Sequence, residues 1–416
     1  MITEFIRLIC NIVLTIGLAY CGYQTFLSLH MFRDAQPPHP TQTTVYRFAI
    51  LICARNEASV IAKLLESLQG QNYPADAFDV FVTADNCSDE TAALARQGGA
   101  TVFERFDSEH RGKGFALNWT FSRFLKQYRA HYDACVIFDA DNIADPNFLD
   151  AMNRQLNAGY RIAAGFRMGK NPSSSWVAGC SSLFWLTQTR LCFVPRARFH
   201  LPCFSVGGTG FMFDLSVLDG KGWQTRSICE DIEFTLNSIA EGYFVSFAPD
   251  AIFYDEQPLT FAQSLRQRYR WSLGSIQILS ISMPRLFQAL MHKKARVFDA
   301  FLYSFGTAMT GVSGICGSVL LVLQFMQTED RNKFLAALAF STACGYLIAM
   351  LSGCLVLLLE KRTWPGVWKA IVTYPIYMMS WGVINVFVLF YRNPSWKVIP
   401  HTQSLGIEDI ERTKAP

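Results

Sequence analysis

The pattern of hydrophobic positions divides the chain into three regimes. From Leu8 to Phe32 the residues are apolar apart from a few uncharged polar side chains and His30, and the run stops at Arg33. That length is enough to cross a hydrocarbon core. It exceeds the apolar region of a secretory signal and no clear small-residue cleavage site follows it. The pattern therefore predicts a retained membrane helix within 1–33. Asp34 to Thr44 contains QPPHPTQTT and reads as a linker ending near residue 45.

The second regime, 46–290, is α/β. Short apolar runs at Phe48–Cys53, Asp79–Thr83, Ala100–Phe103 and Ala134–Phe138 predict strands. Helical spacing fills Val60–Leu68 and Thr91–Gln97, and RGKGFALN (Arg111–Asn118) opens a further helix. Strands alternating with helices predict a mostly parallel sheet with crossover helices on both faces. Beyond it the pattern predicts a helix over Asn147–Arg161 and a strand at Phe244–Ala248. Trp176–Phe193 is aromatic-rich and nearly uncharged, then PRARFH follows; this suits either a membrane-interface helix or core.

The third regime, 291–392, holds three long apolar stretches, Val297–Met326, Phe334–Leu359 and Ala370–Tyr391, each long enough to span. The connector Glu360–Lys369 carries Lys361, Arg362 and Lys369, which places it in the cytoplasm. The tail, 393–416, is polar.

The polar residues at strand ends carry the candidate chemistry. In VIFDADNIAD (Val136–Asp145) a buried strand runs into Asp139 and Asp141. Ligands of open α/β sheets sit outside the carboxyl ends of strands. A hard divalent cation takes one or two carboxylates plus substrate phosphates there. An Asp-rich turn has the same composition. Glu57 and Asp85 follow the first two strands and suit a base imide and ribose hydroxyls, or else serve as helix-start acids. Lys113 stands between two glycines, which permit close approach of backbone to phosphate. SVGGTGFMF (Ser205–Phe213) allows backbone to approach a sugar closely, or makes a tight turn. In SICEDIEF (Ser227–Phe234), Glu230 and Asp231 begin a helix, where acids are favourable in any case. In QRYRW, Gln267, Arg270 and Trp271 share one helical face. A guanidinium there can hold a diphosphate and a Trp face can carry a sugar ring, or the segment is a basic interfacial helix.

Composition narrows the class. Hydrophobic residues make up 51% and charged residues 17%, with the apolar excess at the two ends. The net charge of +4, without a basic block interleaved with aromatics, excludes a nucleic-acid binder. The twelve cysteines form no CxxC pair and the histidines no HExxH, so zinc motifs are absent and the thiols read as reduced.

Together ARNE (Ala54–Glu57), ADNCSDET (Ala84–Thr91), FDADN (Phe138–Asn142), CEDIEF (Cys229–Phe234) and QRYRW (Gln267–Trp271) resemble, in family order, the membrane-embedded family 2 glycosyltransferases. These are the relatives of cellulose, chitin, hyaluronan and poly-N-acetylglucosamine synthases. The resemblance implies a GT-A-like fold with transmembrane helices, and transfer from a UDP-sugar donor with inversion to extend a β-linked polysaccharide. By position it implies that Asp85 contacts uridine, that Glu57, Lys113 and Asp139 join in donor binding, and that Asp139 and Asp141 hold a divalent cation, Mg or Mn. Asp231 becomes the general base. Glu230, Gln267, Arg270 and Trp271 form the acceptor and diphosphate end. It further implies membrane-lipid contact, a plasma (inner) membrane location and a cytoplasmic catalytic domain. Transfer of one sugar to a lipid or polyprenyl phosphate is the alternative, and a catalytically silent nucleotide-sugar-binding subunit another. Two departures stand out. Cys229 replaces the usual Thr, and Trp396 and Lys397 in SWKVIPHT are the only stand-ins for a gating loop. Three spans after a cytosolic domain would also put that tail outside the cell.

Overall fold

A computed structural model of the chain describes residues 1–41, 43–292, 296–392 and 403–414. Trp396 and Lys397 lie outside the described residues. The sequence FAILICA, without a polar position, forms β1 (Phe48–Ala54), buried along nearly its whole length. Such a strand needs neighbours on both edges and cover on both faces. It pairs in parallel with β2 (Phe78–Asp85) and β4 (Ala134–Asp139). β2 pairs in parallel with β3 (Thr101–Arg105). The helices between them, α2 (Ile61–Gln69), α3 (Thr91–Gln97) and α4 (Lys113–Gln127), are the expected crossovers.

The second half of the sheet is mixed. It contains β5 (Ile143–Ala144), β6 (Ile162–Gly169), β7 (Phe211–Asp214) and β8 (Val245–Asp255), in the full order β3-β2-β1-β4-β7-β6-β8-β5. β7 is antiparallel to both β4 and β6, while β6 and β8 are parallel. Apolar clusters cover both faces: Phe121, Phe124, Phe213 and Trp223 on one, Ile61, Leu64, Phe138 and Phe148 on the other.

Three expectations change. The helix expected over Asn147–Arg161 is α5 (Phe148–Asn157), and its continuation turns into β6. The strand IAAGFRMG carries the run Ala163, Ala164 and Gly165 where the sheet is crowded. A Cβ on Gly165 would stand 2.6 Å from the Gly210 carbonyl and 2.8 Å from that of Ala251. The strand at Phe244–Ala248 is the first half of the eleven-residue β8. The stretch Val297–Met326 is two helices, α11 (Val297–Ser304) and α12 (Gly306–Gln327). α11 is pinned to the α/β unit by Asp299, which forms a fully buried bidentate pair with Arg196 at 2.8 and 3.0 Å. Burying one such charge without the other costs about 3–5 kcal/mol, so the two segments stay together.

Between the sheet and the long apolar helices lie α6 (Trp176–Gln188), a π-helical turn (Thr189–Phe193) and α7 (Val194–Arg198). α8 (Glu230–Glu241), α9 (Phe261–Ile281) and α10 (Met283–Met291) complete this part. Outside it are α1 (Ile2–Ser28), α12, α13 (Arg331–Glu360) and α14 (Val367–Phe390). By length and composition these four helices, α1 extended to Phe32, suit a membrane.

α1 and α12 run antiparallel. Tyr20 meets Gly306, Gly17 meets Ser313, and Arg7 bonds Gln327. α13 ends at Glu360, which accepts from Arg190 at 2.6 Å; Arg190 also bonds Asp34 and the Met31 carbonyl. α14 differs from the other three. It follows α6 and α9 along its length, with Thr373 against Cys180, Ser380 bonded to Arg268, and Asn385 bonded to Ser272. At its end the Tyr391 carbonyl accepts from Tyr269. The last helix, α15 (Ile407–Lys414), lies on the sheet edge, with Ile410 buried against Ile143 and Tyr254.

Candidate active site

The strand carboxyl ends open into one cavity of about 810 Å³. Every residue assigned a site role from the sequence lines it: Glu57, Asp85, Lys113, Asp139, Asp141, Glu230, Asp231, Gln267, Arg270 and Trp271.

At the end of the cavity beside β1 and β2, two asparagines make the turns. Asn56 and Asn86 follow β1 and β2 in the left-handed region, with φ of 56° and 52°. Asn tolerates that region because its short side chain bonds locally. The Asn56 side-chain oxygen accepts from Ser88 N–H at 2.8 Å and that of Asn86 from Asp107 N–H at 2.9 Å. The two turns are thereby tied to the next loops. Asp85 is fixed by Arg105, which the sequence reading missed: its guanidinium donates to Asp85 Oδ1 at 2.5 Å, and Asn86 donates to the same oxygen. Asp85 Oδ2 has no hydrogen bond among the described residues.

Beside the end of β4, Lys113 begins α4 and lines the cavity. Its ammonium pairs with Asp139 and donates to the Gly208 carbonyl at 2.7 Å. Burial works against that charge, but Asp139 and Glu230 outweigh it and hold the ammonium above its ordinary value. The Asp139 N–H donates to Thr209 Oγ1 at 2.8 Å, so the aspartate is held at both ends. Asp141 is buried, and its carbonyl accepts from the buried Lys170 at 2.7 Å. Asp139 and Asp141 are hard oxygen donors facing one cavity, which suits a magnesium or manganese ion whose shell a diphosphate completes. Among the described residues no three His, Cys, Asp or Glu side chains converge.

At the other end, α8 presents Glu230 and Asp231. The third acid of that first turn, Glu233, is turned away to the loop before the helix. It is buried and accepts the Arg226 and Ser227 N–H groups at 2.8 and 2.6 Å. The first two acids are left to the cavity. Asp231 Oδ2 accepts from Ser205 Oγ at 3.2 Å. Cys229, where the family has Thr, directs its thiol toward the Trp271 carbonyl at 3.7 Å, and packs so tightly that position 274 must be glycine. This contact joins the start of α8 to QRYRW. The Trp271 ring meets Trp185 edge-on at 5.6 Å and Trp381 at 6.0 Å, a tryptophan cluster contributed by α6, α9 and α14. Arg167 on β6, also missed, lies 4.0 Å over Trp185 and bonds the Gly207 carbonyl. An isolated Arg inside IAAGFRMG carried no signal of this.

The family model described as glycosyltransferase like family 2 matches residues 46–274, more than half of the chain. The chain belongs to this family. It is a glycosyltransferase, with a GT-A-like fold and membrane-type helices. Among characterised relatives it is similar to the probable glycosyltransferase YdaM of Bacillus subtilis, 24% identical over 370 residues, 83% of this chain and 82% of that one. It is also similar to β-monoglucosyldiacylglycerol synthase of Trichormus variabilis, 26% identical over 62% of this chain and 56% of the relative. Poly-β-1,6-N-acetyl-D-glucosamine synthase of Staphylococcus aureus is 25% identical over 55% and 54%. The glycosyltransferase thus spans about half the length of these last two. In fold it matches the mannosyltransferase PcManGT of Pyrobaculum calidifontis, solved with GDP-Man and Mn2+, with a TM-score of 0.59, 18% identity, and 92% and 99% of the two chains covered.

Glu230 makes this site pH-sensitive. Burial pushes its carboxyl up to about 7; Lys113 opposes the rise and Asp231 adds to it. A glutamate in the unfolded chain titrates near ~4.3. Between these values the folded protein holds a proton that the unfolded chain has released. The site's contribution to stability therefore falls as pH rises through that window and stays lost above 7. Glu230→Gln removes the titration. Its unfolding midpoint in detergent should gain on that of the parent protein as pH is raised from about 5 to 7.5. A difference between the two that is constant with pH would mean that Glu230 ionises in the folded protein as it does in water.

Proposed function

We propose that the protein is an inverting glycosyltransferase that uses a nucleoside diphosphate sugar, UDP-linked, to extend a β-linked polysaccharide at the membrane face. The observation carrying this reading is that Asp139 and Asp141 from the end of β4, Asp231 from α8 and Trp271 from α9 line a single cavity. Asp85 and Glu57 would receive the nucleoside. Lys113 and Arg270 would meet the diphosphate, replacing solvent with fixed positive charge. Asp139 and Asp141 would hold a divalent cation, which when bound supports departure of the diphosphate. Asp231 takes the acceptor hydroxyl proton as that oxygen attacks the anomeric carbon from the face opposite the leaving diphosphate. One displacement inverts the centre, so an α-linked donor yields a β-linked product.

Asp231→Asn should lose transfer by several orders of magnitude while binding donor as tightly as the parent, measured by donor titration beside a labelled-sugar assay. Loss of binding in proportion to rate would reduce Asp231 to a structural acid. Transfer by the parent protein that survives a chelator would end the cation assignment.

Trp271 distinguishes elongation from single addition. If its ring holds the acceptor end, truncation removes a stacking contact of roughly 1–3 kcal/mol, by analogy with base–aromatic stacking. Trp271→Ala should then give short products with donor binding intact, and Trp271→Phe should restore part of the length. Single transfer to a lipid hydroxyl remains a second reading because of one observation. The apolar stretches of α1, α12 and α13 are only 11%, 11% and 17% buried, so most of their surface is open to lipid chains. A single glycolipid band from the parent protein, in place of a ladder, would decide for that reading.

The membrane arrangement we propose has α1, α12 and α13 crossing, and α14 lying along the membrane face beside the catalytic unit, which is cytoplasmic in the inner membrane. Its support is that both ends of α14 contact α6 or α9, and that residues 403–410 return to the sheet edge. This removes the conflict posed by three crossings after the catalytic unit. A tag after Pro416 should survive protease added outside intact cells. Its digestion, with the catalytic unit protected, would put α14 across the membrane.

A further inference from the structure

We propose that Ser205 is a positioning residue for the Asp231 carboxylate, binding its Oδ2 and so leaving Oδ1 to take the acceptor proton. This rests on the reading of Asp231 as the base and goes beyond it, to the atom that acts and the group that orients it. The direction of the hydrogen bonds carries the argument. The Gly207 N–H donates to Ser205 Oγ at 2.9 Å, which uses the hydroxyl oxygen as an acceptor. Its own proton is then free for Asp231 Oδ2, 3.2 Å away. An ionised carboxylate can only accept, so the pair is matched in the state a base needs before reaction. Asp231 Oδ1 has no hydrogen bond among the described residues.

Ser205 can orient the carboxylate because its loop is itself held. The Val206 N–H donates to Thr235 Oγ1 at 3.0 Å, and that hydroxyl donates to the Asp231 carbonyl at 2.7 Å, tying loop to helix one turn from the carboxylate. Arg167 bonds the Gly207 carbonyl, and Lys113 bonds that of Gly208. Gly207 and Gly208 adopt φ of 79° and 81°, which turns these carbonyls to the two cations. A Cβ at position 208 would lie 3.6 Å from Asp231 Oδ2, so the carboxylate rests between Ser205 and a bare Cα.

In the step itself the acceptor O–H proton passes to Asp231 Oδ1. The acceptor oxygen bonds the anomeric carbon, and the bond from that carbon to the diphosphate oxygen breaks with its electron pair. The nucleoside diphosphate leaves, and the proton on Asp231 returns to solvent.

The test compares Ser205→Ala with the full-length parent in a labelled-sugar assay across pH, with donor titration on the same preparations. Ser205→Ala should lower kcat about tenfold, as expected for loss of a hydrogen bond to a charged group. The acid limb of its rate profile should move to higher pH, because the hydroxyl no longer favours the ionised carboxylate. Donor KM should stay within about twofold, and Ser205→Thr should recover most of the rate and the original limb. A merely packing role would move neither the limb nor the split between kcat and KM. Ser205→Ala with unchanged kcat and limb overturns the inference. If the alanine variant fails to bind donor, Ser205→Cys decides: it keeps the volume with a weaker donor, so the same limb displacement supports the inference and a parental profile overturns it. Asp231→Asn in the same series separates the two readings. An active Asp231→Asn removes the base and Ser205 together, whereas an inactive Asp231→Asn with a parental Ser205→Ala removes only Ser205.

Discussion

Lys113 bridges Asp139 and the carbonyl of Gly208, and the site is built outward from that contact. The ammonium joins the side chain of Asp139, at the strand end that presents the aspartates, to the loop that holds Asp231. On the aspartate side, Thr209 and Asn142 fix Asp139 from its backbone. On the other side, Ser205 and Thr235 clamp the same loop to α8. Six residues of backbone, Ser205–Gly210, thus tie together Asp139 and Asp231, which come from distant segments. A loop so bonded has little freedom, and that suits a reaction whose rate depends on where charge sits before chemistry begins.

The same economy of contact governs the outer layer. α6, α9 and α14 meet through Trp185, Trp271 and Trp381, one tryptophan from each. Polar groups pin α14 to this layer, above all Arg268, which is buried and donates to the Tyr377 carbonyl at 2.7 Å. A guanidinium in that position would be costly against lipid and is tolerated against a helix that carries partners for it. The Trp271 end of the cavity is therefore walled by a helix that is held to the catalytic unit by polar groups.

The relatives place the chain among enzymes that build glycans and glycolipids, with the match densest over the α/β unit. The family match stops at residue 274, inside α9, while the similarity to YdaM and to PcManGT runs over most of the chain. Asp139, Asp141 and Asp231 belong to the part shared with the family. α11 to α14 lie beyond the family match.

Much of this was legible in the residues. Apolar runs ending in Glu57, Asp85 and Asp139 marked β1, β2 and β4 and the rim they share, because strand burial and strand-end polarity are local signals. The spacing within QRYRW placed Gln267, Arg270 and Trp271 on one face for the same reason. β6 was not legible: its small residues answer to close approach by Gly210 and Ala251, which are distant in sequence. Nor were Ser205, Arg167 and Arg105, since a serine, or an arginine within an apolar strand, has no function until a partner from another segment arrives. The direction of α14 belongs to the same class. Hydropathy measures how apolar a helix is, and only its neighbours along the fold determine whether that apolar surface meets lipid across the membrane or the catalytic unit at its face.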